Sequence, residues 1–253
     1  PIAVRVNEVP IYMLEFEREM LRYKLAITDT STTTLEIANE MVLDYLIDLE
    51  LMRQGATQLG VTVSDEEIDN ELERIEELVD DLSLAEWIDH EGYTEDEYRI
   101  ALEPHLLAAK VAEKLASDVP MQQEQVKARH IVVTTMEEAQ SLKVRLEAGE
   151  LFEDLALENS LDESSRYLGG DLGWFPRGIG DPDFESAAFA LTVGTLSNII
   201  ETKLGYHLIE ALDHKDSYPV SESYLARLQQ LAFEDWFEEL KNSAEIEPVD
   251  PLP

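Results

Sequence analysis

The side chains most readily suited to acid–base or nucleophilic chemistry at neutral pH, histidine and cysteine, are scarce in this sequence. The 253 residues hold five histidines and no cysteine. Without cysteine there is no thiolate nucleophile, no Cys-ligated metal and no disulfide framework. His90-Glu91 has no second histidine at the spacing of a zinc helix. Asp65-Glu-Glu-Ile-Asp69 lacks the glycine that turns a calcium loop. A Gly-x-Ser-x-Gly elbow is absent. Gly169-Gly170 lacks the spacing and the lysine of a phosphate loop and reads as a turn into a strand. His90, His105 and His214 read as surface or packing residues, whereas His130 and His207 each fall inside a predicted strand.

The elements that would position these residues change character along the chain. Of 11 glycines, 8 lie between Gly149 and Gly205, so a helix-rich region gives way to a turn-rich mixed segment. Val4-Arg-Val-Asn-Glu-Val-Pro-Ile11 reads as a small turn between extended pieces. Ile37, Met41, Tyr45, Leu49 and Met52 recur at helical spacing and predict one apolar face. Ser64-Asp-Glu-Glu67, Ser83-Leu-Ala-Glu86 and Thr94-Glu-Asp-Glu97 are helix-start signals, and the last predicts a helix to about Ser117 through Pro104. Near the C-terminus Leu225, Leu228, Ala232, Trp236 and Leu240 form another stripe, which must be buried somewhere. The expected organisation is α+β. An all-α N-terminal domain (residues 1–125) is completed by a C-terminal helix (216–253) that packs back on it, and 126–215 form an inserted domain. Exchange of that tail helix between two chains would instead give a homodimer.

Charge excludes some partners. The chain has 19 Lys+Arg against 55 Asp+Glu, a net charge of −36. Nucleic acid is not an expected partner, because its binding depends on cationic side chains displacing counterions. Anionic membrane surfaces are disfavoured for the same reason. The apolar runs are too short to span a bilayer. The sequence starts at Pro1 with no initiator Met and no hydrophobic signal region, which leaves room for a targeting segment cut away ahead of it.

Within the inserted segment, strands are predicted over 128–134, 171–175, 196–200 and 206–211, and helices over 137–147, over 152–159 and around Phe184–Leu191. Four blocks fall in the order found in parvulin-type peptidyl-prolyl isomerases. They are His130-Ile-Val-Val133, Gly169-Gly-Asp-Leu-Gly-Trp-Phe175, Phe184-Glu-Ser-Ala-Ala-Phe189 and Gly205-Tyr-His-Leu-Ile209. The segment resembles that family, which implies a small four-stranded sheet with surrounding helices. Val6-Asn-Glu-Val-Pro-Ile11 and the returning tail helix resemble the chaperone-like domain of SurA- and PrsA-type foldases.

The resemblance implies a prolyl isomerase. Rotating an X–Pro amide breaks resonance worth a barrier of about 18–20 kcal/mol. No covalent step is obligatory, since a site that binds the twisted amide better than either planar isomer accelerates exchange. Carried over from the family, His130 and His207 match its paired histidines, Asp162 its Cys-or-Asp position and Thr202 its Thr. Leu172 and Phe184 match the apolar proline socket, with Trp174 and Ile179 nearby. An Asp in place of Cys argues against a nucleophilic step. Two positions depart from the pattern. Gly180 stands where a Met or another large apolar residue is usual, and Leu204 replaces the more usual Ser or Phe; both bear on the pocket's rim. The histidines also admit a purely structural reading, as a buried pair holding the sheet in register. No cofactor and no metal is implied.

Two functions follow. The first is an extracytoplasmic isomerase and foldase acting on unfolded, proline-containing exported polypeptides, a placement that rests on the resemblance and the missing cysteines. The second is a holdase chaperone whose parvulin-like domain is a weak or inactive peptide binder. Phosphopeptide selectivity is not expected, because the loop after the first strand, Thr134-Thr-Met-Glu-Glu138, offers acids where a phosphate would need bases.

Overall fold

The computed structural model describes residues 1–26, 35–79 and 82–248. The elements run β1 (Ile2–Val6), β2 (Val9–Tyr12), α1 (Met13–Ala26), α2 (Leu35–Gln58), α3 (Asp65–Leu78), α4 (Leu84–His90), α5 (Glu95–Asp118) and β3 (Gln122–Val133). They continue with α6 (Met136–Glu147), α7 (Phe152–Asn159), β4 (Asp171–Pro176), α8 (Pro182–Ala190), β5 (Ile200–Thr202), β6 (Gly205–Pro219), α9 (Glu222–Ser243) and β7 (Ile246–Pro248). Two compact units result: Pro1–Ser117 with the segment from Leu231 onward, and Asp118–Gln230. Among the described residues no helix is long and apolar enough to cross a membrane.

The first unit is a set of helices around a three-stranded antiparallel sheet of order β2-β1-β7. The capping boxes form as the sequence predicts: Ser64 with Glu67, Ser83 with Glu86, and Thr94 with Glu97. Helix α5 runs unbroken through Pro104, which is buried. Proline has no N–H to give the carbonyl one turn back. That carbonyl, on Ile100, instead accepts a bond from Arg53 of α2.

The stripe predicted for α2 turns inward only toward its C-terminal end, where Tyr45 and Leu49 are half-buried and Met52 is buried. Ile37 and Met41 are 44% and 52% exposed, while Ala38, Val42, Leu51, Met52, Gly55 and Ala56 are buried. Small residues face inward because neighbours approach closely there. A Cβ on Gly55 would lie 2.4 Å from Leu240 Cδ1 and 2.7 Å from Trp236 Cζ2. Phe233, Trp236 and Phe237 of α9 pack against Met52, Ala56, Leu107 and Val111 of α2 and α5.

The second unit is built on a four-stranded antiparallel sheet of order β4-β3-β6-β5. Helices α6 and α7 cover one face, packing Ala139, Leu142, Phe152, Leu155 and Ala156 against Ile131, Val133 and Leu208. Helix α8 covers the other, with Ala188 and Phe189 against Val126, Ala128, Ile209 and Ala211. Strands β3 and β6 are longer than predicted because their outer halves pair with each other, Gln122 to Lys127 against Asp213 to Pro219. These halves are polar, so no apolar alternation marks them. The buried Gln125 side chain fixes them by donating to the carbonyls of Tyr218 and Pro219.

The strand predicted over 196–200 is corrected. Only Ile200–Thr202 forms a strand, and Leu196 touches β6 through a single bridge to Glu210. Ser197 interrupts the ladder, because its hydroxyl takes the Ile209 N–H that a regular partner strand would use.

Candidate functional site

Strand alternation puts His130 and His207 on the α8 face. His130 pairs with Ile209 and His207 with Val132, so the two imidazoles are diagonal neighbours. Both are buried, their ring centroids are 5.4 Å apart, and Nδ1 faces Nδ1 at 3.3 Å. Each outer nitrogen has a partner. His130 Nε2 lies 2.8 Å from Asp162 Oδ2, and His207 Nε2 lies 2.8 Å from Thr202 Oγ1.

Asp162 is delivered by a loop anchored to β3. Leu161 donates its N–H to the Val132 carbonyl, and the buried Ser160 hydroxyl accepts the N–H groups of Val132 and Asp162. The loop then meets β4 at Gly169-Gly170. Gly169 has φ of 69°, Gly170 has φ of 81°, and a Cβ on Gly170 would lie 2.3 Å from the His130 carbonyl oxygen. Only glycine allows that approach, which explains the Gly-Gly pair as a turn.

The carboxylate of Asp162 is fully engaged. Oδ1 accepts the N–H and the hydroxyl of Ser164, and Oδ2 accepts the Ser165 hydroxyl as well as His130. Burial acts to raise its pKa, but the bonds from Ser164, Ser165 and His130 outweigh it and hold the group well below the usual carboxylate range. The histidines move the other way. Burial, assisted by the charge of His130, lowers His207 to about 4. Burial lowers His130 also, against the opposing pull of Asp162.

At neutral pH both rings are therefore neutral, and the partners fix the direction of every bond. The Leu204 N–H donates to Thr202 Oγ1. Thr202 donates to His207 Nε2, His207 Nδ1–H to His130 Nδ1, and His130 Nε2–H to Asp162. The result is a one-way chain of donors ending on an anion.

An apolar patch lies against this chain. The Phe184 ring stands edge-on to both imidazoles, 5.6 Å from His130 and 5.3 Å from His207. Helix α8 carries it, with Asp181 as N-cap accepting from Asp183 and Phe184 and with Pro182 in the first turn. Leu172, Ile179 and Phe184 are half-buried on the same core cluster. Trp174, expected near them, stacks on Tyr218 at 4.6 Å instead. A bulge explains the difference: Gly173 has φ of 70° and the β3–β4 register shifts beside it. Alternation therefore breaks, and Leu172 and Phe175, not Leu172 and Trp174, share a cluster.

Leu204 is 77% exposed and meets the chain only through its N–H. Gly180 donates its N–H to Glu185. A Cβ there would lie 3.4 Å from Glu185 Oε1 and 3.6 Å from its Cγ, so the backbone admits a side chain. Ser164 and Ser165, which bond to Asp162, were not expected at the site. Ser164 and Ser165 carried a signal, since an Asp followed at two and three positions by hydroxyl residues is an Asx-turn pattern.

Comparison with known proteins identifies the family. Residues 111–215 match the PPIC-type PPIase domain, and residues 2–112 match the SurA-like N-terminal domain. Foldase protein PrsA of Geobacillus kaustophilus is 34% identical over 224 residues, covering 83% of this chain and 76% of that protein. The chain belongs to the PrsA foldase family. Foldase protein PrsA 2 of Bacillus cereus is 31% identical over 204 residues, covering 77% of this chain and 70% of its own length. The crystal structure of the peptidylprolyl isomerase PrsA from Bacillus anthracis superimposes with a TM-score of 0.56 at 26% identity, covering 79% of this chain and 94% of that one. The expected α+β fold class stands: a SurA-like helical domain and a parvulin-type peptidyl-prolyl cis–trans isomerase domain with a four-stranded sheet.

Proposed function

We propose that this PrsA-family chain isomerises X–Pro bonds of unfolded exported polypeptides without a covalent intermediate. The proline ring would lie on Phe184, between Leu172 and Ile179, with the rotating carbonyl toward the Asp162 end of the donor chain. The observation that carries this reading is Phe184. It is a half-buried aromatic ring in edge contact with both neutral histidines, at the edge of an apolar cluster. A planar amide places partial negative charge on its carbonyl oxygen, and twisting removes part of it. A fixed anion nearby in a low-dielectric site disfavours the planar form more than the twisted one. Four donors already occupy the Asp162 oxygens, which argues against nucleophilic attack by that group. Isomerisation of short peptides with varied residues before Pro tests the proposal. Turnover above the uncatalysed background is expected, and its absence would leave the holdase reading.

A specific observation favours a holdase role beside catalysis. Leu14, Leu21 and Leu25 line one side of α1 and are 57%, 61% and 64% exposed. Such a row suits transient contact with unfolded chains. The helical unit, completed by the tail, would hold the client, and the whole would act outside the cytoplasm as family membership suggests. Phosphopeptides are not the proposed substrates. Glu138 caps α6 beside Glu137, and Arg177, a candidate anion receptor, is paired with Glu124 and stacked on Phe189.

A further inference from the structure

The isomerase unit holds a buried carboxylate for which the mechanism above has no use. Glu185 follows Phe184 on α8 and is 8% exposed. Its Oε1 accepts the N–H groups of Ile179 at 2.8 Å and Gly180 at 2.6 Å, and its Oε2 accepts that of Gly178 at 2.8 Å. Three consecutive backbone donors converge on one side chain, a nest closed by an acidic residue of the same segment. Gly178 turns the chain into this nest with φ of 87°. At the other end the Glu185 N–H bonds to the Asp181 carbonyl, and the Asp181 side chain caps the helix that carries Phe184. Residues 178–185 are thus folded around the Glu185 carboxylate. Ile179 is pinned by its own backbone to the residue next to Phe184, and both side chains pack on one cluster.

We infer that Glu185 is a positioning residue, which sets the Ile179 wall of the proline socket relative to Phe184. The inference rests on the socket reading above. The residue type follows from the geometry. A carboxylate presents acceptors on both oxygens, enough for three N–H groups, whereas an amide of the same shape has one acceptor oxygen and turns an NH2 toward the remaining donor. The same arrangement explains how Gly180 is tolerated where a large apolar side chain is usual. The wall is held by backbone bonds to Glu185 and does not depend on a side chain at 180.

The test is Glu185→Gln in the full chain, read by amide exchange at 178–180 and by peptide isomerisation, with Ile179→Ala and the double variant alongside. Glu185→Gln is expected to speed exchange at these three amides and to lower kcat/KM about tenfold or more, as small misplacements in an active site do. If it acts through Ile179, the double variant is no slower than Ile179→Ala alone. Additive losses would mean that Glu185 supports the fold generally and would overturn the inference, as would unchanged exchange and activity. Glu185→Asp retains the charge but is one methylene too short to reach all three donors, and it serves as the second variant if the glutamine form fails to fold. If the wild-type protein shows no isomerase activity, the functional reading fails instead. Exchange at 178–180 then still decides whether Glu185 holds the loop.

Discussion

Acid should destabilise the isomerase unit through its buried histidines before it reaches most of the carboxylates. His207 titrates at about 4 in the folded protein, against about 6.5 for a free imidazole. The unfolded chain therefore takes up this proton first as pH falls. Stability is fully present above pH 6.5 and is lost as pH drops toward 4. At about 1.36 kcal/mol per unit, the shift corresponds to about 3 kcal/mol by pH 4. The structural cause is burial of the ring. The donor chain adds to it, because a proton on His207 must go to Nε2, the nitrogen that accepts the Thr202 hydroxyl, and so breaks that bond as it stands. His207→Gln keeps an acceptor for Thr202 and removes the titrating group. Urea unfolding at pH 7, 6, 5 and 4 would be followed by Trp174, which stacks on Tyr218 within this unit, in a Trp87→Phe/Trp236→Phe background. The wild type should lose about 3 kcal/mol more than His207→Gln over this range, with no difference in slope between pH 7 and 8. Comparing the two cancels the general effect of neutralising an acidic surface. Parallel losses in both proteins would refute the argument, because the neutral state of His207 would then contribute nothing to folding.

Phe184→Ala should lower kcat/KM for X–Pro peptides at least as much as Asp162→Ala. The first removes the ring that would contact the proline and the second only an electrostatic contribution; a much larger effect of Asp162→Ala would place the chemistry on the carboxylate. Gly55→Ala should destabilise the helical unit by about 1 kcal/mol in urea unfolding. Overpacking against Leu240 and Trp236, at about 1–3 kcal/mol, outweighs the helix-propensity gain of about 1 kcal/mol; a stabilised variant would show that α9 does not press on α2. A phospho-Ser-Pro peptide should turn over more slowly than its Ser-Pro counterpart at low salt. The gap should narrow at high salt, since surface fields are screened over about 8 Å at physiological ionic strength, and faster turnover of the phosphopeptide would point to Arg166, whose N–H bonds to the Asp162 carbonyl in the site loop.

How much of this was legible in the sequence depends on whether a local rule or a long-range contact placed each residue. The caps of α3, α4 and α5 are local, and they read directly from Ser64, Ser83 and Thr94 with their glutamates. The histidine pair followed from two strand patterns and a family resemblance, and the antiparallel register then placed the rings diagonally. The face of α2 read only in part. Met52 is buried as predicted, but hydrophobic periodicity weighs Ile37 and Met41 above Ala38, which packs with Phe16 and Met20 of α1, and above Gly55, where α9 comes close. Trp174 was expected near the socket from its place beside Leu172 in the family block, and the bulge at Gly173 turns it away. Glu185 shows the deeper limit. In the sequence it is one acid among 55, at a helix position where an acid is ordinarily solvated. What makes it different is that three backbone N–H groups, five to seven residues earlier, turn toward it. Gly178, with φ of 87°, permits that turn, and no spacing rule announces it. If Glu185 positions the socket, Gly178 is part of the same device: it turns the backbone so that Glu185 can hold Ile179, and no larger side chain is then needed at 180.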